Sequence, residues 1–140
     1  MNVSQIMSAN PVCVLLDDDL SVVKDIFDNA KFHHVLVIEE GKLFGIVSDR
    51  DLHRFVSPNL DTNRFTVNDL STLDQPVHLI VTRQPITLKP DATVMDAVDI
   101  FNSHRISCIP VVDDDGVAVG IISWRDILKN FERICADMPR

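Results

Sequence analysis

Two four-residue runs hold the side chains best suited to meet a ligand. Ser48-Asp49-Arg50-Asp51 follows Gly45-Ile46-Val47, and Ser123-Trp124-Arg125-Asp126 follows Gly120-Ile121-Ile122. A Ser hydroxyl beside the free amides of a starting helix attracts an anion such as phosphate. Arg50 or Arg125 adds a planar charged fork. Asp51 and Asp126 would repel phosphate, but each can accept two hydrogen bonds from a ribose diol. The same runs have a structural reading, because Ser at an N-cap with Asp three residues on is close to a capping box. That reading suffices for either run alone. The recurrence of Gly, Ser, Arg and Asp in both favours binding, since capping accepts many other residues. The two roles can coexist.

Other reactive side chains are scattered. His33-His34 stands just before a hairpin. One reading makes these partly exposed histidines at a helix end. The sharper one is what the family resemblance given below implies: His34 as a phosphate contact whose affinity falls as pH rises through an imidazole pKa of about 6.5. Trp124, at a helix start, serves packing or a dimer contact, a stacking surface or a lid. Cys13, Cys108 and Cys135 are odd in number and widely spaced, which suggests buried free thiols in a reducing cytosol. His53, His78 and His104 are not at ligand spacing, so no metal site is expected. The runs Asp17-Asp18-Asp19 and Asp113-Asp114-Asp115 read as solvated turns and lack the spacing of a calcium loop. No catalytic residue is expected: there is no nucleophile–His arrangement with supporting context and no Gly-rich phosphate loop.

The elements that must position these residues come twice. Pro11, Asp17, Asp25-Ile26-Phe27 and Val37 return 74 positions later as Pro85, Asp91, Asp99-Ile100-Phe101 and Val111. Gly45 returns 75 positions later as Gly120, with one residue inserted in the acidic turn between. Each half opens with a short apolar turn (Val3, Ile6, Met7; Val77, Ile80, Val81) and a short strand, Val12–Leu16 or Ile86–Lys89. A helix follows, with apolar stripes Leu20, Val23, Phe27, Ala30 and Val94, Ala97, Val98, Phe101. Asp91 and Thr93 are candidate N-caps for the second of these. Acidic-Gly turns at Glu39-Glu40-Gly41 and Asp113–Gly116 mark hairpins, and a last helix starts at Ser48 or Ser123. The order is β-α-β-β-α, twice, with residues 57–76 as a polar linker.

The totals narrow the partners. The chain has 140 residues and a formal net charge of −8. That charge argues against nucleic acid or an anionic membrane, both of which need clustered positive charge. No apolar run reaches membrane-spanning length, and no basic residue precedes Lys24, so no signal-peptide pattern is expected.

These residues together resemble a tandem CBS-domain pair, or Bateman module. The resemblance covers residues 3–56 and 77–135. It rests on Gly45-Ile46-Val47-Ser48 with Asp51, Gly120-Ile121-Ile122-Ser123 with Asp126, the strand Ile109-Pro110-Val111-Val112, and the opening Pro85-Ile86-Thr87-Leu88. It implies an α+β fold of two pseudo-symmetric motifs packed sheet to sheet, commonly as a homodimer. It also implies clefts between the motifs that take AMP, ADP, ATP or S-adenosylmethionine reversibly. In this picture Ser48, Arg50, His34, Ser123 and Arg125 meet phosphate. Asp51 and Asp126 meet ribose, and Thr87 and Ile109 line the adenine. The second cleft follows the pattern better: Leu36 stands where the second half has Pro110, and Cys13 where it has Thr87. The implied function is a cytoplasmic, non-catalytic ligand sensor acting on a separate regulated protein. The alternative is a dimeric interaction scaffold with vestigial clefts.

Overall fold

A computed structural model describes residues 1–30, 32–56 and 72–139. The linker expected over 57–76 lies outside the described residues up to position 71. In chain order the strands are β1 (Ser8–Ala9), β2 (Cys13–Leu15), β3 (His34–Glu39), β4 (Lys42–Ser48), β5 (Thr82–Arg83), β6 (Cys108–Val112) and β7 (Ala118–Ser123). The helices are α1 (Leu20–Asn29), α2 (Asp49–Phe55), α3 (Val94–Ser103), α4 (Trp124–Lys129) and α5 (Phe131–Asp137). The fold is α+β, with one sheet ordered β2-β3-β4-β5 and another ordered β1-β7-β6.

The chain forms two compact units that do not coincide with its two repeats. The first unit is Val12–Gln84; the second joins Met1–Pro11 to Pro85–Arg140. Each repeat therefore gives its opening segment to the other repeat's unit. β5 pairs antiparallel with β4, Gly45 opposite Arg83, and β1 pairs antiparallel with β7, Ala9 opposite Gly120. The equivalent residues Val77 and Val3 are both fully buried, the first in the core of Val14, Leu20, Val23, Val35, Val37, Val47, Leu52 and Val56. Val3 lies with Ile6, Val94, Ala97, Ile109, Val111, Ile122 and Ile134. Burying a Val side chain fully is worth about 1.5–3 kcal/mol, so each crossing segment is anchored by its own apolar residue.

This exchange explains the repeated glycines. A Cβ on Gly45 would overlap the Thr82 carbonyl oxygen and Val81 Cγ2; one on Gly120 would overlap the Met7 thioether. The group that approaches each glycine is the chain's own crossing segment, not a ligand.

Local patterns account for most of the rest. Thr93 caps α3 in a capping box: the Thr93 amide donates to Asp96 Oδ2 at 2.9 Å, and the Asp96 amide to Thr93 Oγ1 at 3.1 Å. Asp19, its counterpart on α1, makes no such side-chain bond. In the α1 stripe Leu20 and Val23 enter the core and Phe27 packs against it, while Ala30 lies one residue past the helix. The first hairpin turns on Glu40 and Gly41, with φ of 52° and 78°, the geometry of a two-residue type I′ turn. The second is longer: Asp113 Oδ1 accepts the amides of Asp115 and Val117, and Gly116 takes φ 82°.

Three expectations are corrected. The strand at Ile86–Lys89 shrinks to one bridge, Leu88 with Val111. In the first unit the Leu36 amide donates to the Val12 carbonyl at 3.0 Å; Pro110 stands in Leu36's place and has no N–H to give. The last helix of the second repeat is two, α4 and α5, broken at Asn130. Of the three thiols expected to be buried only Cys108 is; Cys13 and Cys135 are exposed. On β2 it is Val14 that points into the core, and strand alternation turns Cys13 outward.

Candidate functional site

In the first unit four of the expected residues converge where β4 runs into α2. Ser48 is the N-cap of α2; its amide donates to Asp51 Oδ2 at 2.9 Å, and its Oγ accepts the Asp51 amide at 3.1 Å. The structural reading of this run is therefore realised. Arg50 lies exposed between the two Asp residues of the first turn. His34, the first residue of β3, is the cross-strand partner of Ser48 and is half-buried. Burial pushes its imidazole below the ordinary 6.5; Asp49 and Asp51 work against that shift, and His33 adds to it.

Sequence reasoning missed one contact here. His33 Nδ1 lies 2.8 Å from Asp49 Oδ2, and the Asp49 amide donates to the His33 carbonyl at 2.9 Å. Strand and helix are thus tied by both main chain and side chains. The adjacency of His33 to a strand start and of Asp49 to a cap Ser was the available signal.

The second unit repeats the junction with different neighbours. The Ser123 amide donates to Asp126 Oδ2 at 2.8 Å, the Ser123 hydroxyl to the same oxygen at 3.1 Å, and the Asp126 amide to Ser123 Oγ at 3.2 Å. Trp124 takes the place of Asp49, and the Arg125 guanidinium carbon lies 5.7 Å from its ring centroid, a cation–π distance. Cys108 stands opposite Ser123, as His34 stands opposite Ser48. Burial, reinforced by the Asp126 carboxylate, pushes the Cys108 thiol up to about 12.

Three further expected residues take no part in the caps. Thr87 is exposed, in the segment leading to the Leu88 bridge. Pro110 is buried within β6, and the Ile109 side chain belongs to the apolar core. Ile109 as a whole residue is fully buried. An apolar hollow of about 210 Å³ in the second unit is lined by Met1, Thr93, Met95, Ile134 and neighbours, and includes none of these residues. Among the described residues no group of three or more His, Cys, Asp or Glu is placed to hold a metal. No helix among them is long and apolar enough to cross a membrane.

Comparison with known proteins agrees with this arrangement. The CBS-domain family model matches residues 3–58 and 77–133. An inosine-5′-monophosphate dehydrogenase of Nitrosopumilus maritimus is 31% identical over 126 residues, which is 89% of this chain and 23% of that enzyme. The chain thus spans about a quarter of that relative. Among solved structures, the CBS domain pair of protein MJ0100 in complex with 5′-methylthioadenosine and S-adenosyl-L-methionine is 25% identical. It superposes with a TM-score of 0.74 over 95% of this chain and 97% of that one. CBSX2 of Arabidopsis thaliana, solved in complex with AMP, shares the fold at a TM-score of 0.78 and 23% identity, over 96% of this chain and 98% of that one. With two family matches covering both repeats and an α+β fold shared with solved CBS pairs, the chain belongs to the CBS-domain family as a tandem pair, a Bateman module.

Proposed function

We propose that this chain is a cytoplasmic regulatory sensor of adenosine compounds that binds them reversibly, catalyses nothing itself and signals to a separate protein. The observation that carries this reading is the recurrence, at the strand-to-helix junction of both units, of one hydroxyl, one carboxylate and one guanidinium. Each carboxylate spends Oδ2 on its cap, and a carboxylate has acceptor sites to spare for a ribose diol. Each exposed Arg can meet a phosphate or a carboxylate. The CBS pair bound to 5′-methylthioadenosine and S-adenosyl-L-methionine supports the ligand class, since both compounds, like AMP, ADP and ATP, contain adenosine. Signalling requires that ligand bind two states of the module unequally and so shift their populations. Cysteines outside any disulfide suit a reducing compartment.

A second reading, a dimeric scaffold with vestigial sites, rests on a different observation. Trp124, Leu128 and Phe131 are 46%, 60% and 57% exposed on successive turns of α4 and α5. At the first two of these places the first repeat has polar Asp49 and His53. Exposed apolar side chains that the first repeat replaces with polar ones at two of three places suit a homodimer contact under either reading.

Thermal unfolding with AMP, ADP, ATP, S-adenosylmethionine and 5′-methylthioadenosine separates the two. A ligand at 100 times its Kd stabilises by about 2.7 kcal/mol, a melting shift of roughly 10 °C for a domain of this size. A shift with any of them supports the sensor; none with all five favours the scaffold.

A further inference from the structure

The two compact units are assembled from the chain in different ways. Val12–Gln84 is one continuous stretch, whereas the other unit needs Met1–Pro11 brought to Pro85–Arg140. The opening segment is firmly seated there. Val3 and Ile6 enter the core beside Ile109, Val111 and Ile122. The Val3 amide donates to the Ala92 carbonyl at 2.8 Å, and the Val94 amide to the Met1 carbonyl at 2.9 Å. Ser8 and Ala9 pair with Ile121 and Gly120. All of these partners lie in Pro85–Arg140, and a second copy of the chain offers the same partners in the same arrangement. The contacts alone do not select which copy's core the segment completes.

The connections supply a second observation. Val12–Gln84 is joined to the discontinuous unit at both ends, through Asn10-Pro11 and through Gln84-Pro85. Asn10 and Gln84 are equivalent in the repeat, and both are left-handed, with φ of 55° and 50°. That conformation is uncommon for residues other than Gly, and a following Pro pushes its predecessor toward extended backbone. In a closed monomer both connections run to one composite unit. Where they run to composite units shared between two copies, at least one is released to extend. Short connections under strain invite such an exchange.

We propose that the chain dimerises by segment exchange, residues 1–11 of each copy completing the Pro85–Arg140 unit of the other. Because β1 lies on β7, and β7 ends at the cap residue Ser123, each copy then supplies part of the frame of the other's second junction. This dimer is distinct from a contact through the exposed Trp124 stripe, and it stands apart from the adenosine reading.

The test is disulfide trapping between full-length chains. One copy carries Ser8→Cys and the other Ile121→Cys, at facing positions of β1 and β7 whose spacing a disulfide can bridge. The two are unfolded together in urea, refolded and oxidised. Peptide mass mapping separates the 8–121 link from links through Cys13, Cys108 and Cys135. The inference predicts that link between separate chains. Asn10→Gly with Gln84→Gly, which relieves the left-handed strain, should lower its yield about fivefold. Asn10→Val with Gln84→Val, which worsens the strain, should raise the yield by a similar factor. A single chain carrying both cysteines is the control. If it links within itself while separate chains stay unlinked, the segment remains in its own copy and the inference is overturned. A yield indifferent to the connection variants overturns it as well. If Ile121→Cys fails to fold, Asn2→Cys with Thr93→Cys replaces the pair, since these residues are bridged and exposed.

Discussion

The two units solve one packing problem with different tolerances. Gly45 faces main chain: its missing Cβ leaves room for the Thr82 carbonyl, held there by the β4–β5 pairing. Gly120 faces the Met7 side chain, which is unbranched and can swing aside. The same residue at the same repeat position is thus strict in one unit and lenient in the other. The strand-to-helix junctions diverge in the same manner. Their caps are alike, but the first is ringed by His33, His34 and Asp49, and the second by Ser107, Cys108 and Trp124. Duplication kept the frame and left the surroundings free to differ.

The largest effect should come from Gly45→Ala, which sets a methyl against backbone and should cost about 2–3 kcal/mol, as overpacking does. Gly120→Ala, set against a flexible thioether, should cost about 1 kcal/mol. Urea unfolding of both variants measures the difference, and equal costs would break the comparison.

Next come the caps. Asp51→Ala and Asp126→Ala should each lose about 1 kcal/mol. The second should lose slightly more, because Asp126 Oδ2 accepts from both the amide and the hydroxyl of Ser123. A loss in one unit only would show that the two boxes are not equivalent.

The effects that vanish near neutral pH lie at opposite ends of the pH scale. His34 is held below 6.5 in the fold, so the unfolded chain binds a proton that the folded chain refuses. Stability should fall as pH drops below about 6.5, and less so in His34→Gln. Cys108 is raised from 9.0 to about 12, so its contribution is intact below about 9 and is lost as pH climbs toward 12. Cys108→Ala should flatten that alkaline limb. Urea midpoints across pH check both limbs.

Much of this was legible in the residues themselves. The 74-residue repeat, the amphipathic stripes, the acidic-Gly hairpins and the capping boxes are local patterns, and each appears where its pattern stands. The exchange of β1 and β5 was not legible. A two-residue strand carries no periodicity, and its partner is chosen by packing far along the chain. The purpose of Gly45 and Gly120 was hidden with it. The loss of the strand at Ile86–Lys89 could have been read from Pro110, whose missing amide breaks the ladder that Leu36 completes. At the junctions, the Ser and Asp pairs were legible because a capping box is a local pattern. The placing of the Ile109 side chain in the core, and the His33–Asp49 pair, depend on tertiary packing that spacing does not encode.

The account is tested most directly by calorimetric titration, into wild type, Asp51→Ala, Asp126→Ala and the double variant, of the adenosine compound that raises the wild-type melting temperature most. It predicts saturable binding to the wild type, weakened at least about tenfold by one of the single substitutions, as expected for loss of a hydrogen bond to a charged group, and absent from the double variant. Binding that survives unchanged in the double variant would contradict it.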